Sequence, residues 1–268
     1  MNKDFWNNKV VVITGASSGI GKAIFDELAK FELKFVLLAR RANEIEDPKW
    51  KHPGAKIIKH SVDLSNPNSV KTCLGFLSSE LASIDVLFNN AGITAHGRFD
   101  ALSMDVYHKT FATNFFGPIQ LIQGLLPQIL KTKGNIVTTS TVSALYGVPG
   151  RAAYSASKSA VHAALESLRI EMLEEGVGVS LVCVPYTDTP LRTSGLGANG
   201  EILNEAPAKG KRMSANMVAK VLISVAEKKE ARLVTIDKSG RFMNILRFFC
   251  PKVLEKIMHK KLYNDFKH

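Results

Sequence analysis

Lys9-Val10-Val11-Val12-Ile13-Thr14-Gly15-Ala16-Ser17-Ser18-Gly19-Ile20-Gly21 is the stretch that decides the fold. From Lys9 to Thr14 it is an almost unbroken β-branched run, the pattern of a strand buried on both faces, and such strands belong to parallel sheets. The run stops at Gly15, and a helical period starts at Ile20. Glycines between a strand and a helix let the backbone turn tightly and approach a pyrophosphate, while the helix start supplies unpaired N–H groups and a favourable dipole. The spacing is Gly-x-x-x-Gly-x-Gly rather than Gly-x-Gly-x-x-Gly, so position after the first strand carries the argument.

Working outward, apolar runs recur at Phe35–Ala39, Ala55–Val62, Asp85–Phe88, Asn135–Thr139, Val179–Val184 and Arg232–Ile236. Segments of helical period separate them: Ile20–Phe31, Ser69–Leu81, Phe115–Leu130, Ala152–Leu173 and Ser214–Ala226. The alternation predicts a doubly wound α/β domain over 1–238, with a mostly parallel seven-stranded sheet, helices on both faces and ligands beyond the carboxyl ends of the strands. One long irregular stretch, about 190–213, is expected to be a substrate loop or lid.

About 20 residues after the glycine turn, an acidic side chain would bind the ribose hydroxyls of NAD, whereas arginine accepts the extra phosphate of NADP. This chain reads Ala39-Arg40-Arg41 there, which predicts NADP(H). Farther on, Tyr154 and Lys158 stand four apart in Tyr-Ser-Ala-Ser-Lys, on one face of a predicted helix. A phenol is a poor acid or base at neutral pH, and a cation beside it favours the phenolate, moving it toward the range of general acid–base catalysis.

Composition removes other classes. With 46% hydrophobic and 22% charged residues in 268, the chain can bury an ordinary core. Cys73, Cys183 and Cys250 are too scattered for a disulfide framework or a metal cluster, and a reducing, cytoplasmic setting fits them. The first nine residues carry charges and amides where a secretory signal needs an apolar run, and no window reaches the roughly 18 apolar residues of a spanning helix. The seven histidines show no metal spacing, and no Gly-x-Ser-x-Gly elbow supports a hydrolase. His96, shortly after Asn-Asn-Ala-Gly, could touch substrate or lie in a solvated loop. The net charge of +11 is uneven: 238–268 holds eight Lys/Arg against Glu255 and Asp265. That tail interleaves its charges with large apolar side chains and carries no nucleic-acid motif, so nucleic acid is not the expected partner.

Together these residues resemble the short-chain dehydrogenase/reductase family from about Lys9 to Ile236. Thr14–Gly21 matches its Thr-Gly-x-x-x-Gly-x-Gly turn, Asp63-Leu64 its adenine-side acid, Asn89-Asn90-Ala91-Gly92 its motif after the fourth strand, Asn114 its helix asparagine, and Tyr154 with Lys158 its Tyr-x-x-x-Lys. The resemblance implies a Rossmann-type oxidoreductase interconverting a carbonyl and an alcohol. In it Tyr154 handles the proton on the substrate oxygen, Lys158 lowers that phenol's pKa and binds the nicotinamide ribose, and Asn114 holds a proton relay. Gly15, Ser17, Ser18, Gly19, Ile20 and Gly21 would line the phosphates, Asp63 and Leu64 the adenine, and Asn89 to Gly92 the adenosine side, where Asn89 can equally be structural. A homodimer or homotetramer is implied, paired through the helices carrying Asn114 and Tyr154. A sugar-nucleotide epimerase of the same broad fold is disfavoured by the glycine spacing and the length.

Two departures stand out. The family's catalytic hydroxyl lies thirteen residues before the tyrosine, which lands on Thr141; one more residue in the intervening loop would make it Ser140. After the sixth strand the family often has Pro-Gly, and this chain reads Val184-Pro185-Tyr186-Thr187-Asp188-Thr189. Pro185, Thr187 and Thr189 would still face the carboxamide, although losing the glycine is expected to restrict the backbone. A catalytically idle, cofactor-sensing member is the alternative, against which Tyr154, Lys158 and Asn114 argue.

Over 239–268, apolar residues recur at steps of three and four between cations, and Pro251 is expected to break the run into two helices. Such a basic amphipathic extension can lie peripherally on a membrane, close over the substrate pocket or pack in an oligomer. Each option brings a greasy surface near the site, from which a lipophilic substrate is expected.

Overall fold

The computed structural model describes residues 1–203, 212–229 and 232–262. Seven strands form one sheet: β1 (Val10–Thr14), β2 (Lys34–Ala39), β3 (Lys56–Ser61), β4 (Val86–Asn89), β5 (Asn135–Thr141), β6 (Gly178–Val184) and β7 (Leu233–Thr235). They lie in the order β7-β6-β5-β4-β1-β2-β3, and every pairing is parallel. Because β1 pairs with both β2 and β4, the winding reverses between β1 and β4, and a crevice opens at their carboxyl ends.

The β-branched run explains the layers. Side chains alternate along a strand, so Val11 and Ile13 point to one face and Val12 to the other. The first face packs on Ile24, Phe25 and Leu28 of α1 (Gly19–Leu28) and on Val218 and Leu222 of α6 (Ala215–Lys228). The second packs on α2 (Pro67–Glu80), α4 (Gly117–Lys131) and α5 (Ala152–Glu171) through Val70, Leu77, Leu121, Leu125, Val161 and Leu165. Each such side chain, fully buried, contributes roughly 1.5 to 3 kcal/mol.

The structure adds what periodicity does not give. Before α4 lie α3 (Met104–Phe111) and a π-helical turn, Ala112–Phe116, where the sequence predicts a helix only from Phe115. Within the stretch expected to be irregular, Gly195–Leu196 pairs antiparallel with Ile202–Leu203, and Thr187–Asp188 pairs in parallel with Met213–Ser214. Part of the expected substrate loop, 204–211, lies outside the described residues. Pro251 does break the tail, into α7 (Lys238–Phe249) and α8 (Pro251–Leu262), and the last six residues of the predicted extension also lie outside the described ones. Among the described residues no helix is long and apolar enough to cross a membrane.

Candidate active site

The turn after β1 is held shut from below. Gly15 has φ +67°, and a Cβ there would come 3.0 Å from the Ala91 Cα. A Cβ on Gly21 would sit 2.2 Å from the Gly15 carbonyl oxygen, so the first turn of α1 closes directly onto the glycine turn. Gly19 has φ +55° and lies against the side chain of Thr189. Ser18 occupies the N-cap without making a side-chain cap bond, which leaves first-turn N–H groups for an anion. Ser17, Ser18, Gly19 and Ile20 all keep part of their surface open. This donor set fits a pyrophosphate.

Thr14 locks the neighbouring loop in place. Its Oγ1 accepts from the N–H groups of Asn90 and Ala91, both at 2.9 Å, and Asn90 Nδ2 donates to the Thr14 carbonyl at 3.2 Å. Thr139 Oγ1 donates to Asn90 Oδ1 at 3.0 Å. Asn89 is buried and donates to Thr138 Oγ1 at 3.3 Å, a scaffold bond between β4 and β5. Gly92 is where the loop meets the reacting groups: a Cβ there would lie 3.1 Å from Asn114 Oδ1 and 3.5 Å from Lys158 Nζ.

Asn114 sits in the π turn, buried, with every polar end used. Its Oδ1 accepts from the Ile93 N–H at 2.8 Å, and its Nδ2 donates to the Ile93 carbonyl and to Ser157 Oγ, each at 3.0 Å. Ser157 Oγ in turn donates to the Tyr154 carbonyl at 2.9 Å. One chain of hydrogen bonds therefore fixes the loop after β4, the π turn and the first turn of α5 relative to one another.

Lys158 is buried and donates to the Thr139 carbonyl at 3.2 Å. Burial brings its ammonium down to about 8, with the Cys183 thiol acting in the opposite sense. Burial likewise pushes the Tyr154 phenol up to about 12. The sequence reading expects Lys158 to depress that phenol; the groups that counter the rise are the Arg151 cation and the Thr141 hydroxyl, and desolvation outweighs them. At neutral pH Tyr154 is a protonated acid beside a mostly charged lysine.

β5 sends the two candidate hydroxyls to different neighbours. It runs two residues past its predicted end, through Ser140 and Thr141, and neighbouring strand residues face opposite ways. Ser140 turns inward, buried, and bonds His162 Nε2 at 2.6 Å. Thr141 faces the crevice, where its hydroxyl favours the phenolate form of Tyr154 and accepts from the Ser143 N–H at 3.2 Å. The Thr141 hydroxyl is thus bonded to Tyr154, while that of Ser140 is taken by His162.

The Ser140–His162 pair has a thermodynamic consequence. Burial, with Lys158 adding to it, lowers the imidazole to about 4. An unfolded histidine takes up its proton near pH 6.5, so between about 6.5 and 4 the unfolded chain binds a proton that the folded one refuses. This contribution to stability is complete above pH 6.5 and falls on acidification, by about 3 kcal/mol at pH 4. Urea unfolding at pH 7 and 4.5 is expected to show a smaller acid loss for His162→Gln than for the wild type. Equal losses would remove His162 from the account.

The remaining predicted residues lie around this centre. Arg40 and Arg41 are exposed after β2; Ser61 Oγ donates to the Arg40 carbonyl at 2.6 Å, and Arg41 lies 3.8 Å from Glu44. Asp63 Oδ1 accepts from Ser65 N at 2.9 Å and from its hydroxyl at 2.7 Å, while Leu64 is buried, its carbonyl under Gly117. Thr187 Oγ1 donates to the Pro185 carbonyl at 2.8 Å. The missing glycine after β6 carries no strain: Tyr186 is not among the residues with positive φ, and its carbonyl accepts from Met213 N at 3.0 Å.

Sequence reasoning missed Arg151 and Ser157. Arg151 Nη1 donates to Thr94 Oγ1 at 3.2 Å and meets His96 Nε2, and its charge favours the Tyr154 phenolate. Arg151 lies three residues before the tyrosine, and Ser157 three after it, so the helical spacing that singled out Lys158 also reaches both.

The family model for short chain dehydrogenase matches residues 9–196. A fruit-fly protein, dehydrogenase/reductase SDR family protein 7-like of Drosophila melanogaster, is 32% identical over 94% of this chain and 80% of its own length. Two solved structures share the fold. A short chain dehydrogenase from Burkholderia cenocepacia in complex with NADP has a TM-score of 0.77 at 19% identity, covering 94% of this chain and 98% of that one. A short chain dehydrogenase/reductase from Burkholderia phymatum in complex with NAD also has a TM-score of 0.77, at 23% identity, covering 94% and 96%.

Proposed function

We propose, from the premise that this chain belongs to the short chain dehydrogenase/reductase family, that it is an NADP(H)-dependent oxidoreductase reducing a lipophilic ketone or aldehyde to its alcohol. The observation that carries this reading is the approach of Asn114 and Lys158 to Gly92, with the Thr141 hydroxyl bonded to Tyr154, at the end of the sheet that presents the glycine turn.

Bound NADPH would supply the hydride. Its pyrophosphate would rest on Gly15 to Gly21, its extra phosphate on Arg40 and Arg41, its adenine beside Asp63 and Leu64, and its carboxamide near Pro185, Thr187 and Thr189. Lys158 would hold the ribose from its place under Thr139. Tyr154 donates its proton to the substrate oxygen, and Thr141 steadies the charge that develops there. A phenol near 12 is protonated throughout the neutral range, which supports reduction as the working direction. Arg151 limits the rise of that pKa and so keeps proton transfer from becoming too costly.

NADP is favoured over NAD because β2 ends in two exposed arginines where an acid would be needed. Solved relatives of this fold are found with either cofactor, so the choice rests on these residues. A lipophilic substrate is supported by the exposed apolar side chains of Tyr186 and Leu191, which follow β6 beside the residues expected at the carboxamide. Exposed Phe116 at the foot of α4 and Ile170 on α5 support pairing of copies through those helices. The three free cysteines support a reducing, cytoplasmic setting.

The test is NADPH oxidation over carbonyl compounds of increasing chain length, with thermal shifts for both cofactors. We expect rates to rise with chain length and NADPH to stabilise the protein more than NADH. Arg40→Glu should reduce that preference by roughly tenfold or more, the worth of about one charge-assisted contact. Full activity on small polar ketones alone would refute the lipophilic substrate; equal shifts would refute the role of Arg40. Cofactor binding without any turnover would restore the idle reading.

A further inference from the structure

We propose that α7 and α8 form a docking surface for an anionic lipid bilayer. α7 carries two apolar faces, and the core needs only one. Gly240 and Met243 face inward: Gly240 lies against Val142, Met243 is buried, and Arg241 Nε pins the helix to the Thr235 carbonyl at 2.7 Å. Phe242, Ile245 and Phe249 follow at steps of three and four, so they share one stripe. At about 100° per residue that stripe lies opposite Gly240 and Met243, with Phe248 beside it. All four side chains are more than half exposed, Phe248 at 72% and Phe249 at 80%.

α8 adds the charge. Leu254 is buried and Ile257 and Met258 are half-buried, which sets its inner face. Lys252, Lys256 and Lys260 follow at steps of four and stand exposed on the outer side, next to Val253. Between 238 and 262 the sequence has seven Lys/Arg and one acid, Glu255. Exposed aromatic and aliphatic side chains among cations match a membrane interface, where apolar burial and attraction to anionic headgroups add. A second copy fits this face poorly, because a two-fold contact would set like charges against like. Closure over the substrate crevice fits poorly too, since the face of α7 that meets Val142 is the opposite one.

Co-sedimentation of the full chain with vesicles tests this without any turnover, so its outcome is independent of the proposed reaction. Wild type should bind phosphatidylcholine–phosphatidylserine vesicles at least roughly tenfold more tightly than phosphatidylcholine alone, and salt should weaken that binding. Lys252→Glu with Lys256→Glu and Lys260→Glu should weaken it roughly a hundredfold or more. Phe248→Ser with Phe249→Ser should abolish retention at moderate salt. Circular dichroism melts would verify folding, and because all five side chains are exposed, little change is expected. Binding indifferent to phosphatidylserine, or variants that bind like the wild type, would overturn the proposal. So would a fall in the light-scattering mass of the serine variant without loss of vesicle binding, which would make the face a contact between copies.

Discussion

Tyr154→Phe is expected to cost roughly 10²- to 10⁴-fold in kcat, the usual worth of a positioned general acid. The ring stays, so packing in the first turn of α5 is kept, and only the hydroxyl beside Thr141 is lost. The Tyr154 backbone carbonyl still accepts from Ser157, so the hydrogen-bond chain to Asn114 survives the substitution. Stability should change by less than about 1 kcal/mol, the net worth of an ordinary hydrogen bond. NADPH should therefore still raise the melting temperature while turnover disappears. Retention of more than a tenth of wild-type kcat would take the proton away from Tyr154, and loss of both binding and turnover would mean the variant had damaged the fold.

Gly21→Ala is expected to damage cofactor binding severely, although it adds only one methyl group. Its Cβ would need to sit 2.2 Å from the Gly15 oxygen and 2.8 Å from Asn90 Nδ2. Neither neighbour is a flexible side-chain end: Gly15 is already backed by Ala91, and Asn90 is held by Thr14 and Thr139. The first turn of α1 must lift away, at a cost of roughly 1 to 3 kcal/mol. Its N–H groups then lose their aim, and NADPH affinity should fall roughly 10- to 100-fold, about 1.4 to 2.8 kcal/mol. Gly75→Ala is the control, because a Cβ there meets nothing within 4 Å on α2. It should leave binding alone and stabilise the helix by up to about 1 kcal/mol. Calorimetric titration and urea unfolding separate the two; a Gly21→Ala protein that binds like the wild type would refute the close approach of turn and helix.

Much of this was legible in the chain because the signals were local. Short apolar runs, the first of them β-branched and ended by a glycine, gave all seven strands, and Pro251 marked the break between α7 and α8. What stayed hidden depended on packing. α3 and the π turn have a period interrupted by the cluster Phe111, Phe115 and Phe116, so periodicity shows only their end. The choice between Ser140 and Thr141 turned on how far β5 extends, since one residue more or less exchanges inward for outward. Tyr154 is the instructive case. The Tyr-x-x-x-Lys spacing correctly placed two groups on one helix, yet the sign of the pKa shift came from burial, which no spacing reveals.

The strand order also bears on how the protein comes to be folded. The crevice lies between β1 and β4, which pair Val11 with Val86 across the whole of β2, α2 and β3. Loop-closure entropy must be met before so distant a pairing is rewarded, and such contacts form slowly. The glycine turn hangs from β1 and meets Asn90 and Ala91 across that seam, whereas Asn114, Thr141, Tyr154 and Lys158 all follow β4, so the cofactor turn joins the reacting groups only when the seam has closed. Recovered catalysis after dilution from denaturant is thus a readout of this long-range pairing, not of the helices, which can appear long before it.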